Sequence, residues 1–215
     1  MVKKSSIGNR KSAIGNDTVA IFGGTFDPPH NGHVKIAETV LDSGRAGKVI
    51  FVPAYHPPHK PSSPVTEFKH RFRMLKLATS SNARFNVSEL ESRRAGPSYT
   101  SDTMMELDKM FPRTRHMLLI GSDSLRMLHT WYKAPEIVAK WPLIVYPRKG
   151  EIPSLDELKS NWGGEVAEKL MGYILPMTCI DVSSTEIRSR IASGKSIKGL
   201  VNDAVDSYIR KNKIY

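Results

Sequence analysis

The stretch IFGGTFDPPHNGH, residues 21–33, decides how this chain folds. It begins inside an apolar, β-prone run, TVAIF (18–22), passes through two glycines, and reaches Pro28 and Pro29, which stiffen the approach to a helix starting near Asn31. A strand therefore turns into a helix here. Gly23 and Gly24 carry no side chains, so their backbone can approach an anion closely, and Phe26 can pack beneath the turn. His30 and His33, three residues apart at the helix start, share a face where the helix dipole favours negative charge. Imidazoles and free N–H groups converge on one phosphate-sized spot, at the carboxyl end of a strand, where open α/β sheets bind ligands. An isolated HxxH pair carries little weight, and zinc would need further ligands at matched spacing, which the sequence does not offer.

Outward from this turn the same alternation repeats. KVIFVPA (48–54) precedes FKHRFRMLKLATS, RFNVS precedes SYTSDTMMELDKMF, and HMLLIGSD leads into SLRMLHTW and the strand-like WPLIVYP. Strands alternating with helix-patterned segments predict an α/β fold with about five strands in a doubly wound, mostly parallel, Rossmann-like sheet. After Pro147 the order weakens. RKGEIPSLDELKSNWGGEVAEKL reads as a polar excursion with one short helix, and YILPMTCIDV as one or two strands. Two helical segments, SSTEIRSRIAS and LVNDAVDSYIRKN, then form a C-terminal helical annex from about residue 183. The expected organisation is a basic extension over 1–16 and one domain over 17–215.

Composition narrows the function classes. Of the 215 residues, 40% are hydrophobic and 25% charged, which is ordinary globular usage. No apolar run is long enough for a membrane span and the first residues lack a secretory core, so a cytoplasmic location is expected. Cys179, the single cysteine, cannot form an internal disulfide and sits among apolar neighbours, as a buried structural thiol would. The net charge of +11 suits a polyanionic ligand, either nucleic acid or a phosphorylated small molecule. Lys3, Lys4, Arg10 and Lys11 place part of that charge in a Ser/Gly/Asn-rich start that reads as a mobile tail. A nucleic-acid-binding protein is thus a rival reading, weakened by the absence of a recognised motif and of aromatics among the basic stretches.

A second constellation, SSTEIR (183–188), supplies the partner of the first. Ser183 and Glu186 fit a capping box, which needs no ligand. Arg188 lies four residues after Ser184, so its guanidinium can cover the helix end where Ser184 and Thr185 point. Two anion sites on separate helix starts point to chemistry on an extended polyphosphate. Neither is a Walker loop, because GxxxxGK[ST] is absent.

GGTFDPPHNGH resembles the [ST/H]xGH-type signature of a nucleotidyltransferase superfamily, and SSTEIR resembles its C-terminal partner motif. PAYHPPHK (53–60), GPSYTSDTM (96–104) and IGSDSLRMLHTWYK (120–133) are further similar to the bacterial nicotinate-nucleotide adenylyltransferases, with the landmarks in the same order from about residue 18 to about 192. That resemblance implies transfer of AMP from ATP to nicotinate mononucleotide, with Mg2+ carried on the ATP phosphates and no metal held by the protein itself. It also implies that Gly23, Gly24, Thr25 and Phe26 line the ATP site, with His30 and His33 on the phosphates and Gly121 and Asp123 near the adenosine. Ser183, Ser184, Thr185 and Arg188 would grip the triphosphate tail, with Lys60 adding charge. For the acceptor it implies Thr100, through its backbone, and Trp131 and Tyr132 around the pyridine ring. The sibling reactions, with nicotinamide mononucleotide or phosphopantetheine as acceptor, are the nearest alternatives. The SYT and TWY segments favour a pyridine nucleotide, and the acid over the amide follows from the resemblance alone.

Overall fold

In a computed structural model that describes residues 17–57 and 65–215, the predicted strands assemble into one sheet. They are β1 (Thr18–Gly24), β2 (Lys48–Pro53), β3 (Phe85–Val87), β4 (Arg115–Gly121) and β5 (Leu143–Tyr146). Every pairing is parallel and the spatial order is β3-β2-β1-β4-β5. The chain steps outward from β1 to β3, then returns to β1's other side with β4. That return creates a switch point between β1 and β4, where doubly wound sheets open a ligand crevice.

Strand alternation builds the two layers. Ile21, Leu118 and Val145 face one side, where Met104 and Leu107 of α3 (Thr100–Met110), Leu125 of α4 (Ser122–Met127) and Ile137 of α5 (Ala134–Lys140) cover them. Phe22, Phe51 and Leu119 face the other, against Ile36, Ala37 and Val40 of α1 (Asn31–Asp42) and Leu75 of α2 (Phe68–Thr79). Register aligns Phe22 with both Phe51 and Leu119, so neighbouring strands present one continuous apolar layer. A third cluster lies outside α2. Its Met74 and Ala78 pack on Ile187 of α8 (Ser184–Ala192) and on Val205 and Ile209 of α9 (Asp203–Asn212). The annex is thus seated on the back of a core helix.

Three expectations need correction. The excursion after Pro147 holds two helices, α6 (Leu155–Trp162) and α7 (Gly164–Met171), and Leu158, Ala167 and Leu170 bury themselves in the α3-side core. Its polar appearance comes from the outward faces and from the Ser154–Glu157 capping box that starts α6. YILPMTCIDV forms no strand. It contributes a single bridge, Ile174 to Val145, before Pro176 interrupts any ladder. Cys179 is half-buried. No helix among the described residues is long and apolar enough to cross a membrane.

Candidate active site

A cleft of about 1050 Å³ opens at the carboxyl ends of β1 and β4 and is lined by residues of every motif singled out above within the described chain. Lys60 and residues 1–16 lie outside the described residues. Gly23, at the end of β1, has open space where a Cβ would project, whereas a Cβ on Gly24 would come within 3.0 Å of the Phe26 ring. Phe26 itself is buried with φ 51°, a left-handed conformation that costs a non-glycine residue roughly 1–3 kcal/mol unless its surroundings enforce it.

The surroundings do enforce it. The buried Arg71 of α2 donates to the carbonyls of Thr25 (2.8 Å) and Thr66 (2.7 Å). From α8, the Ser184 hydroxyl donates to the Pro28 carbonyl (2.8 Å) and the Arg188 guanidinium to the Asp27 carbonyl (2.7 Å), with a longer bond to Thr185 Oγ1 (3.3 Å). The Asp27 carboxylate accepts from the Thr66 N–H (3.2 Å) and from the Tyr215 hydroxyl. Ser183 caps α8 by accepting from the Glu186 N–H (3.1 Å). Two motifs some 150 residues apart in sequence therefore meet through hydrogen bonds, not only through proximity to the same cleft.

His30 and His33 begin α1 as expected. Their rings stack 3.6 Å apart, and the His30 N–H donates to His33 Nδ1 at 3.1 Å. That bond assigns the His33 tautomer: Nδ1 accepts, so the neutral ring carries its proton on Nε2 and remains a donor. Gly32 makes this packing possible, because a Cβ there would lie 2.8 Å from His30 Nδ1. Beneath the pair, Phe26 and Phe22 meet the His33 ring edge-on, at 4.9 Å and 6.0 Å. Burial, followed by the positive charge of Arg148, pulls His30 down to about 4. Burial, then His30, then Arg148 hold His33 well below the ordinary imidazole value. Both rings therefore favour the neutral form at pH 7, in which each has one N–H available to donate instead of a fixed positive charge.

Besides Arg71, which is spent on the turn's carbonyls, Arg148 and Arg188 bring positive charge to this end among the described residues. Arg148 follows β5, donates from its N–H to Ser122 Oγ (2.8 Å) and pairs with Asp123 at 3.0 Å. Asp123 Oδ1 is buried with no partner among the described residues, and a Cβ on Gly121 would be 2.3 Å from it. Only a glycine at 121 leaves that carboxylate room beside the Tyr146 ring.

At the opposite end, Thr100 is the first residue of α3, and the first N–H groups of a helix have no intrahelical partner. Tyr99 and Tyr132 lie with ring centroids 4.5 Å apart, Tyr132 about half exposed, while Trp131 is half-buried against the α3-side core and still lines the cleft. Sequence reasoning missed Asp27, Arg71, Arg148 and Tyr215. Arg148 had a signal, since it follows a strand at the rim where ligands bind. Arg71 had none, being one basic residue among several in FKHRFRMLKLATS.

A doubly wound sheet whose switch-point cleft joins a histidine turn to a Ser/Thr/Arg helix start defines a nucleotidyltransferase of the α/β class. The cytidylyltransferase-like family model matches residues 21–190. A probable nicotinate-nucleotide adenylyltransferase of Caldicellulosiruptor bescii is 39% identical over 197 residues, covering 92% of this chain and 98% of that protein. The Trichormus variabilis protein of the same description is 39% identical, covering 92% and 96%. Among solved structures, Plasmodium falciparum nicotinic acid mononucleotide adenylyltransferase complexed with NaAD superposes with a TM-score of 0.76 at 19% identity, covering 93% of this chain and 97% of that one. The chain belongs to the cytidylyltransferase-like family and, within it, to the nicotinate-nucleotide adenylyltransferases.

Proposed function

We propose that the chain transfers AMP from ATP to nicotinate mononucleotide, forming deamido-NAD and pyrophosphate in NAD biosynthesis. The observation that carries this reading is the bonding of Ser184 and Arg188 to the turn that ends in His30 and His33, which makes one continuous polyphosphate site out of two motifs. Family membership and the aromatic far end of the cleft supply the acceptor.

The mononucleotide phosphate is already ionised, so its oxygen attacks the α-phosphorus of ATP without a strong base. The new P–O bond forms as the bond to the β-phosphate oxygen breaks, and pyrophosphate leaves with its electron pair. No enzyme-bound covalent intermediate is required. The protein's task is positioning and charge stabilisation. His33 Nε2–H and His30 donate to the α and β phosphates. Arg188, which has donors beyond the two bonds it makes here, draws off the leaving group with Ser183, Ser184 and Thr185. Gly23, Gly24, Thr25 and Phe26 form the floor of the ATP site, and Gly121 and the free oxygen of Asp123 face the adenosine. Lys60 adds charge to the phosphates. Thr100 offers backbone N–H to the nicotinate carboxylate, between the rings of Trp131 and Tyr132.

Magnesium bound with ATP would supply positive charge against the triphosphate and the departing pyrophosphate. In this reading phosphate and water oxygens would be its ligands. The cytoplasm is the location this reading implies, as for an enzyme acting on two nucleotides in NAD biosynthesis.

The test is incubation of the protein with ATP, magnesium and either nicotinate or nicotinamide mononucleotide, with pyrophosphate and dinucleotide measured together. Faster turnover of the nicotinate compound is expected. Absence of both products would overturn the reading, and preference for the amide would move the chain to the sibling reaction.

A further inference from the structure

Asp27 is buried inside the turn, only 5% exposed, and a buried carboxylate needs donors on its oxygens. It finds one from Thr66, at the far end of the segment that carries Lys60, and one from Tyr215, beyond α9. Its backbone carbonyl meanwhile holds Arg188. One residue of the phosphate-binding turn thus receives bonds from α8, from the segment preceding α2 and from the last part of the chain. Tyr215 takes a left-handed backbone conformation (φ 71°) to reach it. Burial, with the Asp27 bond behind it, pushes the phenol well above its ordinary value, so the hydroxyl remains a donor at any physiological pH.

We infer that Tyr215 is a positioning residue: its hydroxyl on the Asp27 carboxylate ties the annex to the turn at 25–28 and so sets the affinity for the polyphosphate substrate. The inference rests on the proposed function in taking that substrate to be ATP. Without the hydroxyl, Asp27 Oδ1 lacks its donor. Rotating the carboxylate towards water would strain the same residue whose carbonyl orients Arg188.

The experiment uses the full chain and four variants: Tyr215→Phe, Asp27→Asn, both together, and Tyr208→Phe. The last removes an annex hydrogen bond, to His70, that does not reach the turn. ATP affinity is read by titration calorimetry, without the acceptor, and compared with kcat and the KM for each substrate. Tyr215→Phe is expected to weaken ATP about tenfold, the scale of one hydrogen bond to a charged group. The mononucleotide KM should change less than twofold. In the Asp27→Asn background, where Oδ1 still accepts from the hydroxyl but carries no charge, Tyr215→Phe should cost clearly less than it does in the wild type. Unchanged ATP affinity in Tyr215→Phe, or an equal loss in Tyr208→Phe, would overturn the inference. Should Asp27→Asn not fold, the contrast between the two tyrosine variants decides alone. Since calorimetry needs no acceptor, a wild-type protein that binds ATP yet makes no dinucleotide would count against the proposed reaction and leave this test intact.

Discussion

The two ends of the cleft are held by different kinds of force. At the phosphate end, turn 25–28 is fixed by directional bonds to its carbonyls and to one buried carboxylate, from Arg71, Ser184, Arg188, Thr66 and Tyr215. At the end proposed for the acceptor, Tyr99 and Tyr132 meet through ring faces, Trp131 packs against the α3-side core, and Tyr132 is about half exposed. Directional bonds tolerate little displacement, whereas aromatic contacts slide at small cost. The proposed reaction fits this contrast: it puts the atoms that must sit in line at the first end and a planar ring that must only be sandwiched at the second.

The largest effect should come from His33→Ala, which removes a donor preorganised on the rigid end. Turnover is expected to fall by about 10²–10³ with folding intact, as for loss of a single oxyanion donor. A folded variant with normal kcat would break the comparison at its strongest point. Next comes acid. His30 in the folded chain takes up a proton only near pH 4, while in the unfolded chain it does so near 6.5, so between those values the unfolded state binds protons that the native state refuses. Stability is therefore flat above about pH 6.5 and falls as pH drops towards 4, by on the order of 3 kcal/mol from His30 alone. Urea unfolding at pH 7 and pH 4.5 measures this, with His30→Gln as the variant that should flatten the slope. A wild-type midpoint unmoved between the two would show that the imidazoles are not held neutral.

At the softer end, Trp131→Ala should raise the mononucleotide KM by about tenfold, the scale of one lost aromatic contact with its buried area, and change the ATP KM less than twofold. Equal rises in both would make Trp131 a core residue that serves the whole cleft. The smallest effect is expected from removing residues 1–16, which carry positive charge but none of the motifs. Adenylyl transfer should persist, with any salt-sensitive binding to RNA or DNA lost. Loss of transfer would mean that the extension reaches the substrates.

Much of this was legible because it is local. TVAIF, KVIFVPA and HMLLIG announce buried parallel strands by composition alone, and HNGH announces a helix start by spacing, so the sheet and both histidines follow from windows of a few residues. What stayed hidden is the web that holds the turn. Arg71 reads as a surface arginine in an amphipathic helix, and Tyr215 as a residue at the edge of a basic stretch. Their roles depend on contacts spanning 46 and 188 positions, which no periodicity encodes. The neutral state of the histidines was equally invisible, because it arises from burial and from Arg148, a residue 115 positions beyond His33. The excursion at 149–170 misled for a related reason: its apolar side chains, Leu158, Ala167 and Leu170 buried and Leu155, Trp162 and Val166 packed around them, are spread among charged residues that face water.

The seating of α2 has a consequence for how the molecule comes apart. Leu75 belongs to the layer beneath the sheet, while Met74 and Ala78, its near neighbours, belong to the layer under α8 and α9. Melting the annex would strip one side of a helix whose other side lines the main core, so neither layer can be lost at leisure while the other persists. Heat should therefore undo sheet and annex in a single cooperative transition, with calorimetric and van't Hoff enthalpies in agreement.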